Sequence, residues 1–286
     1  MPLPGNVNTH SNEGAQTVTA DGKYMVLTAC NRSDGKGSCD LYYSELINKK
    51  WTKAKNIAEL NTAAWESQLS ISADGRFLFF ASERNDGFGS ADIYIAYRNE
   101  KGWWSKPQLL DTVINTSMSE TSPFIHPDGK TMYFCSNGHY GVGGFDIFVT
   151  RLNDDASWTK PRNLGYPINT SKNEISLVVS ATGKKAYITS SREGGYGLND
   201  LNEFELPKAV QADEVTFIKG NIIDAETHKP LSVYCEIVEL KTNKVVFASN
   251  SDSANGSFML GLNKRKEYGM FFSKREDIYF IQKTFA

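Results

Sequence analysis

The 286-residue chain sets 31 Lys and Arg against 33 Asp and Glu, a net charge of −2, so it lacks the basic surplus that drives nucleic-acid binding. Its 40% apolar content can fill buried cores, and no apolar run approaches the ~20 residues that a bilayer-spanning helix needs. With 13 Tyr, 16 Phe and 23 Gly, the composition favours pleated strands joined by glycine turns, and the length fits two domains.

The amino terminus, Met1-Pro2-Leu3-Pro4-Gly5, has neither the charged nor the apolar region of a signal peptide. It reads instead as the tail of a strand, like Leu164-Gly165-Tyr166-Pro167. From Asn8 onward the chain is periodic. Asn8-Thr9, Asn61-Thr62, Asn115-Thr116 and Asn169-Thr170 recur in phase with Glu13, Glu66, Glu120 and Glu174. Tight turns at Asp21-Gly22, Asp74-Gly75, Asp128-Gly129 and Thr182-Gly183 keep the same phase, as do Asp40, Asp92, Asp146 and Asp200. The repeat is about 54 residues, and a period of this size signals a solenoid, propeller or array.

Each repeat predicts four antiparallel strands, a to d. Strand a precedes the Asp-Gly turn, a strong hairpin signal, and strand b follows it, as at Tyr24–Thr28 and Phe77–Ala81. Strand c follows a Gly-rich loop, as at Asp92–Tyr97, and strand d follows a Trp (Trp51, Trp104, Trp158). Four such strands make a propeller blade, so residues 1–207 are expected to form a β-propeller of four repeats. The fourth repeat reaches Leu206-Pro207 without its Trp and strand d. Residues 1–5 could supply that strand and close four blades. Five residues make a short strand, however, which favours a five-bladed ring with one blade not represented here.

Residues 208–214 read as a polar linker, and 215–286 as a second all-β module. Strand-like runs at Thr216–Ile223, Val233–Leu240, Val245–Ser249, Ser257–Leu262 and Tyr268–Ser273 fit a small β-sandwich. The nearest basic cluster, Asn263-Lys264-Arg265-Lys266, is short and turn-like.

The spacing Ser82, Gly87, Gly89, Asp92-Ile93-Tyr94, repeated at Ser136, Gly141, Gly143, Asp146-Ile147, resembles the TolB-type, WD-repeat-like propeller family. Gly220-Asn221-Ile222-Ile223-Asp224, Lys229-Pro230-Leu231 and Asn255-Gly256-Ser257-Phe258 resemble the carboxypeptidase regulatory-like domain. A propeller followed by that domain is similar to the middle of OmpA-family envelope proteins, a type IX secretion component among them. The resemblance implies a periplasmic, outer-membrane-associated scaffold whose partners are other envelope proteins. Peptidoglycan would be reached only through a domain that this sequence does not contain.

The repeat glutamates Glu13, Glu66, Glu120 and Glu174 admit two readings. All four could face one channel mouth as an acidic ring for a cation or a partner's Lys or Arg. Equally, each could cap backbone N–H groups of a neighbouring loop, which also recurs once per blade. Trp65, just before Glu66, breaks the pattern and could stack on a sugar or plug the channel; a carbohydrate- or peptide-binding mouth is the alternative function. Asp40, Asp92, Asp146 and Asp200 follow Gly-rich loops and are expected to bind turn amides. Calcium would need six to eight oxygens, more than these loops offer, so no metal and no cofactor is expected.

Cys30 and Cys39 flank one hairpin at positions that can meet disulfide geometry, whereas Cys135 and Cys235 lie in apolar strands and read as buried thiols. The Gly138–Gly144 run precedes a strand rather than a helix, so it is no dinucleotide loop. His10, His126, His139 and His228 lack ligand spacing, and no nucleophile elbow is present. No enzyme is expected.

Overall fold

A computed structural model describes residues 3, 5–99, 101–192, 194, 196–252, 255–264, 266–274 and 277–281. The chain divides into two compact units, Met1–Ala212 and Asp213–Ala286. The first is a β-propeller of four repeats. Strands a, b and c are Asn12–Val18, Tyr24–Cys30 and Cys39–Ile47 in blade one, and Glu66–Ile71, Phe77–Ser82 and Asp92–Tyr97 in blade two. They are Glu120–Ile125, Thr131–Ser136 and Asp146–Arg151 in blade three, and Glu174–Val179, Lys185–Ser190 and Asp200–Glu205 in blade four. Strand d is two residues long: Lys55–Asn56, Gln108–Leu109 and Arg162–Asn163. Blades one to three pair antiparallel in the order a-b-c-d, with Lys50–Trp51 also pairing on strand c of blade one, and blade four pairs in the order a-b-c.

The a–b turns place Gly22, Gly75, Gly129 and Gly183 at φ between 70° and 73°, a left-handed conformation that only glycine adopts without a steric cost. Just after its glutamate, each strand a shifts register by a bulge. In three blades a non-glycine residue (Ala15, Gln68, Ser122) takes positive φ there. These bulges turn side chains onto the next blade: Thr17 Oγ1 accepts from Ile71 N, Ser70 Oγ from Ile125 N, and Ser122 Oγ donates to Ile175 O at 2.6 Å. Bulges commonly re-aim side chains in this way.

Blades are joined by a repeated fork. The carboxamide of Asn115 accepts from Ile93 N at 2.8 Å and donates to Ile93 O at 3.0 Å, so it pairs with strand c of the preceding blade as a peptide group would. Asn61 grips Leu41 and Asn169 grips Ile147 in the same way. The gripped Leu41, Ile93 and Ile147 are fully buried. Tryptophans fill the seams beneath the forks. Trp104 of blade two donates to Tyr24 OH of blade one, and Trp158 of blade three meets the Phe79 ring of blade two edge-on.

Blade four has three strands among the described residues, and one expectation is corrected there. Of residues 1–5, Met1, Pro2 and Pro4 lie outside the described residues, and Gly5 pairs with Trp51 of blade one, whose carbonyl also accepts from Asn6 N. Residues 208–214 are not a plain linker. A 3-10 turn at Lys208–Val210 carries Val210 and Ala212 into the core between blades three and four, where Tyr133 OH donates to Val210 O at 2.6 Å. That segment takes the seat that Trp104 and Trp158 fill elsewhere. It is buried because Tyr133 and Leu206 need apolar cover that repeat four lacks.

The second unit pairs Val215–Asn221 with Ser257–Asn263 in one sheet. Tyr234–Glu239, Lys244–Asn250, Tyr268–Lys274 and Asp277–Ile281 form the other. Leu260 and Leu262 of the first sheet share one core with Cys235, Ile237, Phe247, Tyr268 and Met270 of the second.

The fork generates a graded expectation. Asn115→Ala strands two buried backbone groups and should cost about 2–4 kcal/mol in a denaturant titration. Asn8→Ala, at the exposed first position, should cost less than about 0.5 kcal/mol. Equal losses at both sites would contradict the joint.

Candidate functional site

The repeat glutamates are brought to one end of the propeller, but not as an open ring. Glu120 is completely buried; its carboxylate accepts from Thr116 N at 2.6 Å, Thr116 Oγ1 at 2.9 Å and Ser136 Oγ at 2.6 Å. Glu66 does the same with Thr62 and Ser82, and Glu174 with Thr170 and Ser190. Arg84 and Arg192 approach Glu66 and Glu174 at 3.6 and 3.5 Å. Glu13 is half-buried and holds the amide and hydroxyl of Thr9, with Ala29 where the other blades have serine. The acidic ring is therefore corrected to a set of caps. Each glutamate closes the loop of its own repeat through the threonine four residues earlier, which is why Asn-Thr and Glu recur together.

The aspartates brace the b–c loops. Asp40 accepts from the amides of Lys36 and Gly37, and Asp92 from Gly89 N at 3.0 Å. Asp146 accepts from Val142 N and Gly143 N, and Asp200 from Tyr196 N and Gly197 N. Burial holds the Asp92 carboxyl above its ordinary value, against the Gly89 and Phe88 amides that pull it down. The two loop glycines have separate tasks. A side chain at Gly87 or Gly141 would collide with the aspartate carboxylate, and one at Gly89 or Gly143 with backbone carbonyls of the next blade's loop.

Those loops leave apolar tips in solvent. Phe88 and Val142, each between two loop glycines, are 50% and 61% exposed, and Tyr140 and Tyr196 are almost wholly exposed. Met118, on the adjoining loop against Gly89, is also exposed. Trp65 is half-buried on the same end, bridged to Cys39, and its carbonyl accepts from Glu83 N. A nearby hollow is lined by Thr62, Ala64, Arg84 and Asp86, but Asp86 is taken by Tyr94 OH at 2.7 Å and Arg84 by Leu60 O at 2.8 Å. Among the described residues no group of three or more His, Cys, Asp or Glu is placed to hold a metal.

Cys30 and Cys39 face each other across strands b and c of blade one and are joined as a disulfide. Cys135 and Cys235 are buried thiols, each pushed up to about 12 by that burial.

One polar cluster escapes the sequence pattern. His126, where the other repeats carry alanine, is completely buried, with Nε2 3.0 Å from Ser180 O of blade four and Nδ1 3.1 Å from Asp128 N. Burial raises the Asp128 carboxyl, but hydrogen bonding to His126 and to the Lys130 and Thr131 amides outweighs it and draws the group down to about 2. The replacement of alanine by histidine was the available signal, and it reads locally as a turn variant because its partner lies 54 residues away.

No family model and no curated protein matches the sequence. Among solved structures, TolB from Acinetobacter baumannii is similar over 70% of this chain and 42% of its own length, at 15% identity and a TM-score of 0.51. A putative TolB from Agrobacterium tumefaciens is similar over 91% of this chain and 77% of its own, at 13% identity and a TM-score of 0.47. An α-L-arabinofuranosidase from Lactobacillus brevis is similar over 67% of this chain and 71% of its own, at 15% identity and a TM-score of 0.45. The chain thus spans under half of the first of these, and the likeness establishes the propeller fold alone.

Two outcomes are expected. A thiol reagent without reductant should find no reactive cysteine in the native protein and two after unfolding; four after unfolding would deny the disulfide. For Asp128, a depressed carboxyl stabilises the fold above its ordinary value of 3.8 and loses that contribution as pH falls through about 2. Asp128→Asn should therefore cost about 2 kcal/mol near neutrality. The gap from wild type should narrow between pH 4 and 2 in acid-denaturation curves. A pH-independent gap would exclude this linkage.

Proposed function

We propose that the chain is a non-catalytic binding scaffold of the bacterial cell envelope that docks other envelope proteins on the loop end of its propeller. The carrying observation is the contrast at that end. The glutamates and aspartates are turned inward onto amides and hydroxyls, while Phe88, Tyr140, Val142 and Met118 project outward. Carboxylates held this way are poor acid–base groups. Neighbouring apolar tips are the chemistry of protein contacts, which concentrate aromatic and Met side chains at their centre. An oxidising compartment such as the periplasm suits the Cys30–Cys39 bond, because such bonds are rare where thiols are kept reduced. The link to type IX secretion rests only on the resemblance of a propeller followed by a domain with the motifs of residues 215–286 to that order in OmpA-family envelope proteins.

Capture from solubilised envelope of the native bacterium tests this reading. The wild-type chain should recover a stoichiometric protein partner. Phe88→Ser/Val142→Ser, with unchanged melting, should lose at least ~10-fold of it, since each removed apolar anchor weakens binding by about 1 kcal/mol or more. Equal recovery by both chains would move the interface elsewhere. Turnover of a glycan or peptide by the wild-type chain would defeat the non-catalytic reading.

A further inference from the structure

The apolar loop tips occupy one end of the propeller. The a–b and c–d turns occupy the other, and there charge is unevenly divided among the blades. In blade one the c–d connection is a tight turn, with Asn48 and Lys49 at φ of 51° and 62° and Ile47 opposite Lys50. The segment that follows buries Trp51, Ala54 and Ile57 and leaves Lys53 and Lys55 in solvent, where Lys49 and Lys50 also lie. In blade two the same turn is built on Asn99. Its Oδ1 accepts from Lys101 N and Trp103 N at 3.0 Å each, and its own N–H donates to Trp103 O at 2.9 Å. Trp104 enters the seam, while Trp103 beside it is 64% exposed, with Lys101 and Lys106 in solvent on either side in the chain.

The two turns belong to one surface. Arg98, next to Asn99, lies over the Tyr24 ring of blade one at 3.9 Å, Tyr24 stacks on Tyr43 at 5.5 Å, and Lys55 lies over Tyr43 at 5.6 Å. This ladder of rings and cations crosses the seam from the turn of blade two to the outer strand of blade one. Two apolar side chains project there, Trp103 and the 54%-exposed Ile47, among the six lysines. None of the six is ion-paired with another described residue. The acids of this end offer little opposition. Asp21 and Asp74 accept from hydroxyls and amides of their own turns, Glu45 is half-buried, and Glu100 lies outside the described residues.

Blade three has the opposite character. Its c–d turn carries Asp154 and Asp155 and no large exposed apolar side chain, and Lys130 is drawn to Asp154 at 3.6 Å. The basic face is therefore confined to blades one and two.

We propose that this face rests on an anionic lipid bilayer, with Trp103 and Ile47 in the headgroup layer and the lysines against lipid phosphates. Charge and side-chain type select that occupant. Each lysine near a negatively charged bilayer adds to partitioning, and tryptophan favours the boundary between headgroups and acyl chains. Lysine stems also cover apolar surface while their ammonium groups stay in water. A turn tip with one apolar residue among lysines enters a deformable lipid surface without a matching contour, which an acidic protein would have to supply. The contact is peripheral and lies at the opposite end from Phe88 and Val142, so it stands apart from the protein docking proposed above.

Co-sedimentation of the full chain with phosphatidylcholine vesicles, with and without phosphatidylglycerol, tests it. Wild type should bind only the vesicles that contain phosphatidylglycerol and be released at about 1 M salt, where charges are screened within a few ångströms. Lys50→Glu/Lys53→Glu, at exposed positions and with unchanged melting, should bind at least ~10-fold more weakly. Anionic vesicles should shift tryptophan emission to the blue in wild type but not in Trp103→Ser, because Trp51, Trp104 and Trp158 are already buried. No binding to phosphatidylglycerol vesicles, equal binding to both kinds, or unchanged binding by the lysine variant would each overturn the proposal. Self-association that the lysine variant loses, with no binding to vesicles, would also overturn it; the occupant would then be the Asp154–Asp155 turn of a second copy.

Discussion

The propeller depends on a single substitution of chemistry: a side-chain carboxamide doing the work of a backbone peptide group. Blades are separate sheets, and the edge of strand c would otherwise carry unpaired amides and carbonyls at each seam. Asn61, Asn115 and Asn169 supply both donor and acceptor there, so adjacent blades are hydrogen-bonded without their strands having to align. No other side chain than Asn offers that pair at this reach; Asp would set a charge against a carbonyl, and Gln would overshoot. The other recurring features of each repeat serve this placement. Thr62, Thr116 and Thr170 follow the fork and are fixed by the buried glutamates, while the aspartates shape the loops on which the next fork rests.

Much of the fold was legible in the sequence. The Asp-Gly turns gave the a–b hairpins, and strand c of blade two runs Asp92–Tyr97 as the spacing predicts. Strand a of blade two begins at the glutamate itself, because the bulge after Glu66 keeps that residue in the ladder, opposite Ser82. The outer strands follow the Trp of each repeat as expected but are short: after Trp104 strand d pairs only at Gln108–Leu109. Composition could not show that Val210 and Ala212 are core residues, since their apolar partners belong to blades already passed.

The site was less legible, for a physical reason. A carboxylate that repeats once per blade has the same sequence signature whether it faces a channel or caps a loop. What separates the two is the partner, and the partners of Glu120 are Thr116, four residues back, and Ser136, sixteen residues on. Read together, that triplet would have indicated a closed local network. The exposed tips were hidden differently: Phe88 and Val142 look like ordinary apolar residues in a glycine loop, and only the solid packing beneath them leaves them outside.

The Cys30–Cys39 bond ties strands b and c of blade one, whose strand a is mostly in solvent. In an array where each unit is held mainly by the units beside it, the least covered units fray first. The covalent tie offsets that in blade one. Blade four, with three strands among the described residues and a solvent-facing Leu201, has no such tie. Amide-exchange protection would then decline from one side of the array, giving the molecule a preferred direction of unzipping.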